Sequence, residues 1–222
     1  MPKRSKDTSV LVVVPHGDDE VLGFAGAIQY FKKQRAKVVV HFSHISQATD
    51  RKTKQFNDIQ KSMKILKYQM SFNSITAWDL DGDRSNVLRF EKLVNEHKPD
   101  YLFIPHPGDS HQDHVNLHNT IRSAVRVNKT SGHIVPKILL GEIISSTDNT
   151  FNISNNFNPN FYIPMDLNMM DNKCEALQAY SGEVVSDPHP RSSDGLWVVA
   201  RKRGQECGQR FAEAFQLMRW IA

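Results

Sequence analysis

His16, Asp18 and Asp19 stand together in Pro15-His16-Gly17-Asp18-Asp19-Glu20. A second group, His111, Asp113 and His114, closes the run Pro105-His106-Pro107-Gly108-Asp109-Ser110-His111-Gln112-Asp113-His114. His16 precedes Asp19 by three residues, and His111 precedes His114 by the same interval. Where each pair opens a helix, residues i and i+3 share a face and can point at one centre. Imidazole and carboxylate suit a borderline divalent ion such as zinc, and the same ligands accept iron(II) or cobalt(II). His16, Asp19 and His114 are the expected ligands, leaving one coordination position open. An ion so held acidifies water and polarises a carbonyl oxygen. Asp18, beside the ion without binding it, is the expected general base. His111 is placed to stabilise an oxyanion as an imidazolium or to protonate a leaving amine. Asp113 is placed to hydrogen-bond one of the two histidines and fix its tautomer. Acidic residues in a first helical turn are favoured by the macrodipole alone, but that leaves two His/Asp groups at separate junctions unexplained.

Both groups follow apolar runs that read as buried strands, Val10–Pro15 and Tyr101–Pro105. Chemistry collects at such strand ends in an open α/β sheet. Helical spacing follows at Glu20–Gln34, Arg51–Lys67, Val87–His97 and His114–Val127, with further strands expected at Lys37–Phe42 and Ser74–Trp78. Strands alternating with helices predict an α/β, Rossmann-like, mostly parallel sheet flanked by helices, its active site at the C-terminal strand ends. Beyond about residue 130 the rhythm weakens. A strand is expected at Ile134–Ile144, a loop at Ser145–Pro159, helices at Asp166–Tyr180 and Gly208–Met218, and a strand at Leu196–Ala200. The whole chain, 1–222, reads as a single domain whose last part, from about residue 130, is irregular and closes over the substrate.

The chain has 222 residues, 39% of them hydrophobic and 23% charged, which is ordinary for a globular protein with a full core. No apolar run approaches the roughly 20 residues that span a bilayer. The basic start, Met1-Pro2-Lys3-Arg4, lacks the hydrophobic region of a signal peptide. Cys174 and Cys207 form neither a CxxC pair nor a disulfide framework, which fits a reducing cytoplasm. A net charge of +4 permits an anionic substrate, such as one carrying phosphate, but is too mild to indicate nucleic-acid binding. His41, His44, His97, His118 and His133 show no partner spacing. His106 is read as shaping the Pro105–Gly108 turn or touching substrate, and Asp109 as capping the turn into His111.

These residues resemble the PIG-L/LmbE family of zinc-dependent N-deacetylases. The family's PHxDDE signature stands as Pro15-His16-Gly17-Asp18-Asp19-Glu20, with Gly17 where proline often sits, and its HxDH element as His111-Gln112-Asp113-His114. Looser agreement runs through Leu80-Asp81-Gly82-Asp83, Lys173, Ala176, Arg203-Gly204 and Gly208–Phe215. The resemblance implies hydrolysis of an acetamide on an amino sugar or sugar conjugate, releasing acetate and a free amine. It assigns the metal to His16, Asp19 and His114, the base to Asp18, and the transition-state role to His111 with Asp113 in support. It also implies substrate contacts, for which Arg51, with Lys54 behind it, Asp81 and Asp109 are the candidates. The segment Ser181–Arg191 lacks the family pattern. The expected partner is a small N-acetylated sugar, nucleotide-linked forms included, and a homo-oligomer is compatible with the sequence.

Two other readings compete. One keeps the metal and changes the bond, to another amide such as an N-acyl amino acid or to a phosphoester; two-metal phosphatases need more carboxylates than are grouped here. The other is a non-catalytic receiver-like signalling module with Asp79 as phosphoacceptor, which gives His16, His111 and His114 nothing to do.

Overall fold

The computed structural model describes residues 8–44, 49–75, 83–127, 132–150 and 153–222. In chain order its elements are β1 (Ser9–Val14), α1 (Asp19–Lys33), β2 (Lys37–His44), α2 (Thr49–Leu66), β3 (Gln69–Ile75), α3 (Arg84–His97) and β4 (Tyr101–Pro105). They continue with α4 (Gln112–Ala124), β5 (Lys137–Gly141), β6 (Phe161–Met165), α5 (Leu167–Gln178), α6 (Ser193–Glu206) and β7 (Phe211–Trp220). The strands form one seven-stranded sheet in the order β3-β2-β1-β4-β5-β7-β6. The first five run parallel, and β7 lies antiparallel between β5 and β6.

Strand β1 is central and buried on both faces, which is why it reads as an unbroken Val/Leu run. Val10, Val12 and Val14 pack with Phe24, Ile28 and Phe31 of α1 and with residues of α2, α5 and α6. Leu11 and Val13 face the other way, onto Phe90 and Leu93 of α3 and Leu117 and Ile121 of α4. The helices thus cover both faces of the sheet. After β3 the chain crosses back and lays β4 against the opposite edge of β1, with Val10 paired to Val38 on one side and Tyr101 on the other. The strand order reverses at β1/β4, and crevices open outside strand ends at such a switch point. Both chemical clusters begin there.

Among the described residues beyond 130 are three strands, two α-helices and a 3-10 turn at Ile153–Asn155. Two expectations there are overturned. Leu196–Ala200, read as a strand, lies inside α6, and Gly208–Met218, read as a helix, mostly forms β7. Strand β6 had no counterpart in the sequence reading. The third strand expected at Ser74–Trp78 is found earlier, at Gln69–Ile75, and residues 76–82, Asp79 and Asp81 among them, lie outside the described residues.

Helix α1 is anchored through its middle. The buried Glu213 of β7 accepts the amides of Gly26 and Ala27 at 2.7 and 2.9 Å and the Lys173 ammonium at 2.7 Å. Lys173 also donates to the Leu22 carbonyl. A Cβ at position 26 would stand 2.8 Å from that carboxylate, so the close approach requires glycine. The helix that carries Asp19 is therefore tied to the sheet by a compensated buried pair.

Candidate metal centre

The link from β1 to α1 is held in an uncommon backbone shape. Asp18 has φ 98° and ψ −31°, a region costly for a residue with a side chain. Its N–H donates to Glu20 Oε2 at 3.1 Å, and its carbonyl accepts from Val21 and Leu22 at 2.9 Å each. Glu20 is fully buried, and its other oxygen accepts from Ser62, Tyr68 and Tyr180 at 2.6, 3.2 and 2.5 Å. The last acidic residue of the first motif is thus a structural hub that fixes the backbone of Asp18.

His16 and His114 are built alike from opposite strand ends. His16 Nε2 lies 2.8 Å from Asp113 Oδ2, and its Nδ1 lies 3.3 Å from Asp19 Oδ2. His114 Nδ1 lies 3.0 Å from Asp109 Oδ2, and its Nε2 lies 3.3 Å from Asp19 Oδ1. Each ring has one nitrogen tethered by a carboxylate and the other turned towards Asp19, the arrangement that orients metal-binding imidazoles. Donors on a tetrahedron with zinc bond lengths stand about 3.4 Å apart, which the two 3.3 Å separations match. His114 Nε2 is also buried without a hydrogen-bond partner. An orphaned imidazole nitrogen beside a carboxylate fits a divalent cation. Without one, protons take its place. Burial disfavours the charge on both rings, but Asp113 and Asp19 push His16 up to about 9, and Asp19 and Asp109 push His114 up to about 10. Asp19 resists burial through the same two rings and sits well below the usual carboxylate range.

His111 completes a three-imidazole group in which one nitrogen of each ring lies within 4.8 Å of the others. It stacks on His114, with ring centres 4.8 Å apart. As a third donor it is less suited than Asp19. Its Nδ1 accepts the Asp113 N–H at 3.2 Å as the N-cap of α4. That bond leaves Nε2 to carry the proton of the neutral ring. Burial and the charges of His114 and His16 lower its pKa, which favours the neutral ring.

Asp109 proves more deeply engaged than a substrate contact. Oδ1 accepts the His111 N–H at 2.7 Å, the turn-capping bond, while Oδ2 takes His114, Ser146 at 3.0 Å and Thr147 at 2.6 Å. Its side chain has no exposed surface for a ligand. His106 bonds Gly108 N at 3.0 Å and Gln216 at 3.0 Å, which shapes the turn. His41 and His118 bond Ser71 and the Pro105 carbonyl.

Asp18 faces a cavity of about 410 Å³ lined by His16, Asp19, His111, His114, Glu183 and Arg191, among others. Arg191 Nη1 stands 3.5 Å from Asp18 and 3.3 Å from Glu183, and its Nε is buried without a partner. Burial and then the charges of Asp19, Glu20 and Glu183 raise the Asp18 carboxyl well above its ordinary range, with Arg191 partly offsetting them. Arg191 and Glu183 escaped the sequence reading, because they lie in the aperiodic stretch between α5 and α6. Unpaired charge in a Pro-rich loop was the one available signal. Arg51 does not line this cavity; it lines an adjoining one.

Three of the solved structures that share this fold illustrate the range. The conserved protein TT1542 from Thermus thermophilus is 18% identical over 97% of this chain and 96% of its own, with a TM-score of 0.79. The N,N'-diacetylchitobiose deacetylase of Pyrococcus horikoshii is 20% identical over 98% and 86%, with a TM-score of 0.73. GalB, a 4-carboxy-2-hydroxymuconate hydratase from Pseudomonas putida, is 16% identical over 97% and 98%, with a TM-score of 0.75. A deacetylase and a hydratase on one scaffold show that the fold alone does not select the reaction. The family assignment is more specific: residues 11–125, which carry both clusters, match the family described as PIG-L, GlcNAc-PI de-N-acetylase, and the chain belongs to the PIG-L family.

Proposed function

We propose that this protein is a metal-dependent hydrolase that removes the acetyl group from an N-acetylated amino sugar or sugar conjugate. The observation that carries the proposal is the paired tethering of His16 by Asp113 and of His114 by Asp109, with Asp19 at 3.3 Å from both rings. His16, Asp19 and His114 would hold a divalent ion, zinc by ligand type, with iron(II) or cobalt(II) compatible. When bound, the ion supplies Lewis acidity to water and to the amide carbonyl.

The chain's own residues do the rest. Asp18, fixed by Glu20 and Arg191, accepts the proton that water loses as its oxygen attacks the acetyl carbon. His111 donates its Nε2–H to the oxygen on which negative charge develops. Asp18 then returns its proton to the amide nitrogen as the C–N bond breaks, giving acetate and the free amine. Asp109 and Asp113 keep the two imidazoles in register. Cys174 and Cys207 are free thiols, in keeping with a cytoplasmic setting. A receiver-like role leaves both tethered imidazoles without a purpose.

The test is acetate and amine release from a panel of N-acetylated sugars, before and after chelation and after metal is restored. Release that disappears on chelation and returns with zinc is the expected result. Activity indifferent to chelation removes the metal. No acetate from the metal-loaded protein on any member of the panel removes the deacetylase reading.

A further inference from the structure

Among the described residues, Asp18, Arg35, Lys67, Lys98 and Ser145 are the non-glycine residues with positive φ. Arg35, Lys67 and Lys98 lie one or two residues beyond the ends of α1, α2 and α3, where a left-handed residue commonly closes a helix. Asp18 and Ser145 have no such explanation, and both line the cavity beside His16, Asp19 and His114. Glu20 fixes the first of them. The second follows β5 and has φ 82°.

The Ile143 carbonyl accepts the N–H groups of Ser146 at 3.1 Å and Thr147 at 2.9 Å, which makes Ser145 the third residue of a tight turn. A φ near +80° at that position belongs to a type II turn and strongly favours glycine. The turn is bolted to the site. Thr147 Oγ1 accepts the Ile143 N–H at 2.8 Å and donates to Asp109 at 2.6 Å. Ser146 Oγ donates to the same Asp109 oxygen at 3.0 Å, and that oxygen tethers His114. The Ser110 and Ser146 hydroxyls are thus engaged within the protein, at the Ser146 carbonyl and at Asp109. Ser145 has no side-chain hydrogen-bond partner among the described residues. Glycine would relieve the turn, and no contact inside the protein accounts for the side chain that stands there instead.

We propose that Ser145 is a specificity-determining residue whose hydroxyl hydrogen-bonds a hydroxyl group of the substrate beside the scissile amide. The inference rests on the deacetylase reading, which brings the acetamide to His16, Asp19 and His114. Asp18, Glu183 and Arg191 supply charged groups to the same cavity. Ser145 adds a neutral group that both donates and accepts, which suits an uncharged hydroxyl. Backbone strain at a ligand-facing residue persists where its surroundings over-determine it, as the bonds from Ile143, Ser146 and Thr147 do here. The contact favours an acetamide flanked by hydroxyls over an N-acyl amino acid.

Binding separates this inference from the reaction. The probes are N-acetylglucosamine and N-cyclohexylacetamide, which carries the same acetamide on a ring without hydroxyls. Dissociation constants are read by ligand-observed NMR in the zinc-loaded full chain with Asp18→Asn to slow turnover, alone and combined with Ser145→Ala or Ser145→Gly. Each Ser145 variant should weaken N-acetylglucosamine about 3- to 10-fold, the loss of one hydrogen bond, and leave N-cyclohexylacetamide unchanged. Equal affinity of parent and alanine variant for N-acetylglucosamine overturns the contact, as does absence of its binding to the parent. Equal weakening of both probes puts the hydroxyl on the amide and overturns it too. Melting temperatures check the fold. Ser145→Ala should melt with the parent, and a fall would make the hydroxyl structural and overturn the proposal. Ser145→Gly should melt no lower, since relief of strain offsets glycine's freedom in the unfolded chain; a clear drop overturns the strain on which the inference stands. With Asp18 intact, kcat/KM for N-acetylglucosamine should fall by the same factor in Ser145→Ala. Absence of acetate release strikes the deacetylase reading and leaves the binding comparison to decide the contact.

Discussion

Glu20 accepts the backbone N–H of Asp18 at 3.1 Å, so one acidic residue of the first motif holds the next but one in its strained conformation. The same carboxylate gathers three hydroxyls from α2, the α2–β3 link and the stretch just after α5. Removing it takes the shared acceptor from Ser62, Tyr68 and Tyr180, and Tyr68 keeps only longer contacts to the Ile59 carbonyl and Ser62 at 3.4 and 3.5 Å. Glu20→Ala should cost about 2–4 kcal/mol of stability, measured by urea unfolding, and Glu20→Gln clearly less. An alanine variant as stable as the parent contradicts the hub.

Asp18→Asn should retain the metal, by elemental analysis, and lose about 100- to 10,000-fold in kcat. A base works only when ionised, and burial with neighbouring carboxylates raises the Asp18 carboxyl well above its ordinary value. Activity should therefore rise with pH along an acid limb lying above about 4, the usual carboxylate value. Arg191 opposes that shift, so Arg191→Gln should move the limb to higher pH. A limb that stays in place would show that the guanidinium does not act on Asp18.

Asp109→Asn and Asp113→Asn each free one imidazole from its tether. Metal affinity should drop about 10- to 100-fold in each, read by competition with a chromogenic chelator. Because Asp109 also holds Ser146 and Thr147, its variant should in addition melt at lower temperature than Asp113→Asn.

In the ion-free protein His16 and His114 are raised to about 9 and about 10. A raised folded-state pKa contributes stability that is full below about 6.5, the unfolded value, and is lost as pH climbs through the folded one. Ion-free protein should lose melting temperature between neutral pH and pH 10, and bound zinc should flatten that fall. Zinc addition in weak buffer near pH 7.5 should release protons, since imidazolium cannot ligate. A pH indicator that shows no release speaks against His16 and His114 as ligands.

The residues proposed to hold the metal were legible as a group because three separate signals agreed: strand runs before them, i,i+3 spacing within them, and two residue types suited to one ion. Asp109 was half legible. Its place before His111 announced the turn cap, but its second oxygen meets His114 through an arrangement that only the folded turn creates. Local composition misled at the other end of the chain. Leu196-Trp197-Val198-Val199-Ala200 has the β-branched content of a strand, yet Ser192 caps a helix there and the buried positions Leu196, Ala200, Arg203 and Gly204 recur at helical intervals. That period was the overlooked signal. Phe211–Trp220 is rich in helix formers, and its insertion between β5 and β6 overrides their preference.

The pairing of β4 with β1 has a consequence for how the molecule comes into being. His16 and Asp113 meet across 97 residues, so a growing chain carries half of the proposed site through the synthesis of α1, β2, α2, β3 and α3. A fragment that stops before β4 carries His16 and Asp19 but lacks His114 and the tethers from Asp109 and Asp113. Metal capture should therefore be among the last events of assembly, and the ion, once held, would latch two distant stretches of polypeptide that no covalent link joins.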